Sequence, residues 1–298
     1  MGRRRRGRPL HGWLIIDKEA GATSARVVAA VRRITGAAKA GHAGTLDPIA
    51  TGVLPVALGE ATKIMSHVTA GTKSYRFTMR WGEARDTDDA EGTIIATDDV
   101  RPSDTEIAAA LPAFVGDVWQ VPPTYSAIKV GGRRAYDLAR EGEAVDLPAR
   151  LVRVDRFELV SRPDPETAVF EVDCGPGAYV RALVRDLAAR LGGSGHVTAL
   201  RRTRVGRFDE TAAISLAKLE ELWQSAPPAE TLLPVETALV DIPALALTGP
   251  QADRLCNGQV IRVIGTPDGT VCAMNAGRLV ALAQVQEGEV RPLRVFNL

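Results

Sequence analysis

No stretch constrains this chain more than Gly41-His42-Ala43-Gly44-Thr45-Leu46-Asp47-Pro48. It sets one carboxylate among small residues, with a histidine five positions before it. Pro48 pushes Asp47 out of the α region, so Asp47 belongs on a loop. Gly41 and Gly44 permit positive φ and leave room for another molecule to approach the backbone. The following run, Thr51 to Lys63, is largely apolar and punctuated by glycine, as a buried support would be. Taken alone, an aspartate before a proline is ordinary turn chemistry, with Asp47 capping the next segment. The length of the pattern is what lifts it above that reading.

From Gly41 to Pro55 the chain fills every fixed position of G-H-x-G-x-L-D-P-x-A-x-G-x-L-P. On these residues it resembles the TruB family of tRNA pseudouridine synthases, in which that loop carries the one essential aspartate. Three more segments agree: Lys73-Ser74-Tyr75, the D-T-x-D-A-x-G pattern of Asp86 to Gly92, and Q-x-P-P-x-Y-S-A-I-K from Gln120 to Lys129. Two places depart. Glu19 stands where the family often has proline, and Gly175-Pro176-Gly177-Ala178-Tyr179-Val180-Arg181 replaces the usual S-K-G-T-Y-I-R, keeping its Tyr and Arg.

The resemblance implies isomerisation of a uridine in tRNA, at position 55 of the TΨC arm, with Asp47 catalytic. It implies that Tyr75 stacks on the target uracil, that Arg181 pairs with Asp47, and that His42 fills the gap left by the extruded base. Tyr179 and Leu200 complete the pocket, Leu200 as an apolar wall. It also implies an α+β (mixed α/β) pseudouridine-synthase fold: a central, mostly antiparallel or mixed sheet flanked by helices, plus a small C-terminal β-rich PUA-like domain. Whether Asp47 acts as nucleophile or base stays open. Breaking the glycosidic bond and rejoining uracil through C5 changes no oxidation state, so neither cofactor nor metal is required. The residues agree, with no dinucleotide fingerprint or P-loop, and with His11, His42, His67 and His196 lacking metal-ligand spacing. Asp86 to Gly92 looks like the start of a calcium loop but lacks the downstream glutamate.

Net charge is +1, an unpromising total for a nucleic-acid partner, but its distribution matters more. Arg3, Arg4, Arg5, Arg6 and Arg8 crowd a start that holds no acid; without them 32 basic face 36 acidic groups. Any RNA surface is therefore a local patch. Lys129, Arg133 and Arg134 form one candidate for backbone contact, and Arg201, Arg202 and Arg204 another, unless the latter are simply a solvated charged face. Cys174, Cys256 and Cys272 are scattered and odd in number, which fits neither a disulfide framework nor a zinc site and suits a reducing cytoplasm. No segment is long and apolar enough to span a membrane.

In chain order, residues 1–9 read as a disordered basic arm, either RNA-binding or merely solvated. A strand runs from Gly12 to Asp17, and Thr23 or Ser24 caps a helix with Val27, Val28, Val31 and Ile34 on one face. Ser74 to Gly82 alternates as a half-buried strand. A helix is expected from Ser103 to Leu111, strands from Leu151 to Val160 and Thr167 to Cys174, and a helix carrying Arg181 and Arg185 at i, i+4. Pro227, Pro228, Pro234, Pro243 and Pro250 mark a broken connection. The division is thus a catalytic domain at 10–236 and an RNA-binding PUA-like domain at 240–298, in a monomer with no obligatory protein partner. Two other classes compete with the isomerase: a non-catalytic RNA-binding scaffold, and a two-carboxylate glycosidase or N-glycosylase using Asp17 or Asp86 as second acid.

Overall fold

The computed structural model describes residues 7–126, 128–142, 145–225 and 228–298. Arg3, Arg4, Arg5 and Arg6 of the arm lie outside the described residues, as does the side chain of Arg134. At residue 8 the expectation of a disordered arm fails. Arg8 donates its N–H to the Gly36 carbonyl at 2.7 Å and accepts from Ala38 at 3.0 Å, while its guanidinium stands 5.6 Å from the Trp223 ring centre.

A nine-stranded sheet forms the body. Its path runs Gly12–Lys18, Thr51–Leu58, Gly195–Val205, Lys73–Trp81, Thr167–Cys174, Arg150–Asp164 and Gly116–Gln120, with Ala40–His42 and Phe208–Asp209 added at one end. Every pairing is antiparallel except that of Thr51–Leu58 with Gly195–Val205, so the sheet is mixed. Alternation explains Lys73–Trp81: Phe77, Met79 and Trp81 are buried while Arg76 and Arg80 face water. Phe77 stacks on Phe170 at 5.4 Å and Phe157 closes the group at 5.5 Å from Phe170. Each such side chain contributes about 1.5–3 kcal/mol by leaving water.

Helix Ser24–Thr35 begins where Thr23 accepts from the Arg26 N–H and ends at Gly36 in the left-handed region, with Val27 and Val31 buried. Helix Val180–Arg190 lays Leu183, Val184, Leu187 and Ala188 on the sheet, which points its N-terminal arginine at the loops above. Two further helices flank the proline-punctuated stretch, Leu216–Ser225 just before it and Gly249–Cys256 at its end. Pro250 lies in the first turn of the latter, where its missing N–H costs nothing, and Thr248 with Gln251 forms a capping box.

The C-terminal part is β-rich, a five-stranded sheet in the order Ala244–Ala246, Gly269–Asn275, Arg278–Gln286, Glu289–Val295 and Ile261–Arg262. It shares a core with the body. Trp13 and Phe208, 5.3 Å apart, belong to one apolar cluster with Cys272, Leu279 and Phe296. Among the described residues no helix is long and apolar enough to cross a membrane.

Candidate active site

Asp47 sits on a loop whose every neighbour is held. Ser24 Oγ accepts the Leu46 N–H at 2.9 Å and donates to the Leu46 carbonyl at 3.2 Å. Lys18, only 1 % exposed, donates to the carbonyls of Glu19, Ala22 and Pro48 at 2.9, 2.7 and 3.1 Å. The Gly21 N–H adds a second bond to the Pro48 carbonyl at 2.8 Å. Burial pulls the Lys18 amine down from its usual value, and the nearby Asp47 carboxylate opposes that.

Gly44 does adopt positive φ, at 96°. Gly41 does not; an added Cβ there would meet the flexible Met65 side chain, its sulfur 2.9 Å away. The close approach is by the protein's own side chain.

Arg181 meets Asp47 as the resemblance implied. Its Nη2 is 2.9 Å from Asp47 Oδ2, the arginine side chain 4 % and the aspartate 35 % exposed. The contact is one-point and not a grip on both oxygens, because the rest of the fork is engaged. Nη1 donates to the Thr87 carbonyl at 2.8 Å, Nη2 also to the Tyr125 carbonyl at 2.9 Å, and Nε faces Asp89 Oδ2 at 3.5 Å. The segments Asp86 to Gly92 and Gln120 to Ser126 thus converge on one guanidinium. Asp89 is itself locked, accepting from Thr87 Oγ1 at 2.7 Å and the Glu91 N–H at 3.0 Å.

One turn along the same helix, Arg185 pairs with Asp88 at 3.0 Å and donates to the Val121 carbonyl at 2.7 Å. Asp88 holds φ of 60°, unusual for a residue other than glycine. Burial pushes its carboxyl up to about 6, although Arg185 and Arg181 oppose the rise.

The remaining pocket residues flank this centre. Tyr75 is half-buried, its phenol pushed up to about 12 by burial, so it stays protonated. Tyr179 caps helix Val180–Arg190, tied by its backbone to the Gln120 amide at 2.8 and 3.1 Å. Leu200 is buried opposite Phe77 in the sheet, and its carbonyl accepts from Thr51 Oγ1 at 3.4 Å. His42 packs its Nδ1 against the Gly44 backbone without a well-formed hydrogen bond. Burial first, and the Arg202 charge second, hold its imidazole below the usual value, so it is neutral at pH 7.

Arg202 departs from expectation. It is 1 % exposed, so it cannot touch an RNA backbone. Its Nε donates to the Val53 carbonyl at 2.9 Å, and its Nη1 and Nη2 to those of Thr45 and Gly44 at 3.3 and 3.0 Å. The signal was present: Leu200 and Arg202 lie two apart in a strand and share a face. Arg201 faces outward, yet it grips both Asp17 oxygens at 3.0 Å and Glu210 besides. Arg204 is half-exposed, bonded to Ser74 Oγ at 3.1 Å and 3.8 Å from Asp173. Lys129 and Arg133 stand exposed on a short hairpin, Lys129–Val130 with Arg133–Arg134, where Arg133 pairs with Glu141. Sequence reasoning missed Lys18, Asp88, Asp89 and Gln120, because each acts through a contact distant in sequence.

The rival second acids are occupied: Asp17 by Arg201, and Asp86 by the Thr93 N–H at 2.8 Å. Asp47 is a part-exposed carboxylate held by a buried arginine on a mixed sheet, and the family models that match this chain make the class a pseudouridylate synthase. Residues 32–180 match the TruB family pseudouridylate synthase N-terminal domain, and residues 181–240 the tRNA pseudouridylate synthase B C-terminal domain. The chain belongs to the TruB family. It is 55 % identical to the tRNA pseudouridine synthase B of Gluconacetobacter diazotrophicus, over 99 % of this chain and 100 % of that protein. The protein of the same name from Bradyrhizobium diazoefficiens is 54 % identical, over 99 % of this chain and 88 % of its own. Among solved structures, an H/ACA RNP bound to a substrate RNA containing 2'-deoxyuridine superposes with a TM-score of 0.75 at 24 % identity, covering 100 % of this chain and 92 % of that one, a likeness of fold.

Proposed function

We propose that this protein is a tRNA pseudouridine synthase that isomerises the uridine at position 55 in the TΨC arm. The observation that carries the reading is the 2.9 Å contact between buried Arg181 and accessible Asp47, in a chain 55 % identical to a named tRNA pseudouridine synthase B. The reaction breaks the C1'–N1 bond and forms C1'–C5; a proton leaves C5 and one is gained at N1, so mass is unchanged. The target base must leave its stack to reach Asp47. Tyr75 offers a ring to stack on it, and neutral His42 and apolar Leu200 line the space around it. Arg181 holds Asp47 still, through either role of the carboxylate.

Lys129, Arg133, Arg134, Arg201 and Arg204 are assigned to the RNA backbone. Arg201 and Arg204 reach phosphate only by exchanging their carboxylate partners. The β-rich residues 240–298 serve as a PUA-like RNA-binding module beside a catalytic domain at 10–236. The enzyme works as a cytoplasmic monomer, with tRNA its only obligatory partner.

The test is incubation of the protein with an unmodified tRNA transcript, followed by nucleoside mapping. One uridine in the TΨC loop should change retention at constant mass, and Asp47→Asn should abolish the change while binding tRNA. Release of free uracil would favour an N-glycosylase instead.

A further inference from the structure

Arg202 is a buried cation that the reaction as described does not use. No carboxylate lies within ion-pair distance of it among the described residues; its donors go to three carbonyls, and Tyr75 stands beside it on the next strand. Taking a guanidinium out of water without an opposing charge costs stability, and an apolar side chain of similar volume is often the more stable occupant. Its place needs another reason, and its contacts supply one.

Gly44 and Thr45 lead directly into Asp47, so two of the three carbonyls belong to the loop that carries the carboxylate. Tyr75, on the neighbouring strand, is paired with Arg202 in register and carries the ring on the other side of the pocket. The fit is close. Gly52 takes φ of 95°, and a Cβ there would come 2.3 Å from the Arg202 carbonyl oxygen. Arg181 holds the carboxylate at its tip, and the Arg202 guanidinium holds the backbone of the same loop.

Resting on the reading above, we infer that Arg202 is a positioning residue for the isomerisation, whose planar fork sets the Asp47 loop at a fixed distance from the Tyr75 ring. Its charge has a separate effect, felt by His42 beside the same loop. Lysine would keep that charge and lose the fork, whereas methionine would lose both while filling similar space.

The experiment uses the full chain and an unmodified tRNA transcript, with Arg202→Lys and Arg202→Met compared to wild type. Three quantities are measured: single-turnover rate, tRNA Kd, and the His42 imidazole titration by NMR, assigned with His42→Gln. A misplacement of about 1 Å at a reacting group costs ~10²-fold in rate. Both variants should therefore lose on that order in single-turnover rate with Kd unchanged. In Arg202→Met the His42 midpoint should also rise, while in Arg202→Lys it stays put. A wild-type rate in either variant, or a loss confined to Kd, overturns the inference. If the methionine variant fails to fold, the lysine variant alone decides. A wild-type protein that leaves every uridine unchanged would overturn the functional reading instead, and the His42 titration would still report whether Arg202 sets the field at that loop.

Discussion

Arg181 divides one guanidinium among Asp47 and the carbonyls of Thr87 and Tyr125, which no single-point cation can reproduce. Arg181→Lys should cost about 3 kcal/mol at the chemical step, on the order of 10²-fold in single-turnover rate, with tRNA affinity retained. Lost affinity with an intact rate would move Arg181 to the RNA-binding surface. Asp88 makes a pH prediction. Its folded carboxyl titrates near 6 against 3.8 for the free group, so the native state resists its ionisation. The cost of burying it is absent below pH 4 and complete above pH 6, reaching roughly 3 kcal/mol. Asparagine tolerates positive φ and cannot ionise; since about 1 kcal/mol of the cost is already present at pH 4.5, Asp88→Asn should gain on wild type by about 2 kcal/mol between pH 4.5 and 7.5 in urea unfolding. A stability difference that does not vary with pH would refute the assignment.

Single elements were read well wherever one face is apolar. The strand expected at Ser74 to Gly82 is Lys73–Trp81, and the helix expected at Ser103 to Leu111 is Asp104–Ala110, begun by a Ser103–Glu106 capping box. Periodicity says nothing about which strands meet, so the burial of Arg202 and the partners of Asp88 were out of its reach. The arginine run from 201 to 204 looked like a surface patch because charge outweighed alternation in the reading. Helix Ser24–Thr35 offers a measurable case: Thr23→Ala removes its cap and should lower stability by about 1 kcal/mol. In a protein of this size that is a fall of roughly 1.5–2 °C in Tm. An unchanged melt would mean the adjoining loop bonds hold that end of the helix unaided.

At the scale of the whole molecule, the C-terminal sheet and the body are joined by apolar packing and by direct bonds. Lys63 donates to the Val295 carbonyl at 2.7 Å, and Glu60 accepts the Asn297 N–H at 2.9 Å. Phe296, 3 % exposed, lies in the cluster that holds Trp13. Phe296→Ala should cost about 3–5 kcal/mol and destabilise both parts together. Circular dichroism and tryptophan fluorescence should then report one coincident unfolding transition. Two separated transitions would show that the module folds on its own.

The one parallel pairing in the large sheet sets Thr51 beside Arg201 and Gly52 beside Arg202. During synthesis the strand after Asp47 therefore waits for a neighbour made far later, roughly 8–30 s at about 5–20 residues per second. Over that interval Thr51 and Gly52 lack their partners, and Val53 to Leu58, paired with Gly12–Lys18 and in part with Ala40–His42 but buried in the finished protein, presents an uncovered apolar face to the cell. Ribosome-bound chains stalled before residue 195 should be cut by protease near this segment, and chains long enough to expose residue 205 outside the exit tunnel should resist. The loop that carries Asp47 is made early and finished late.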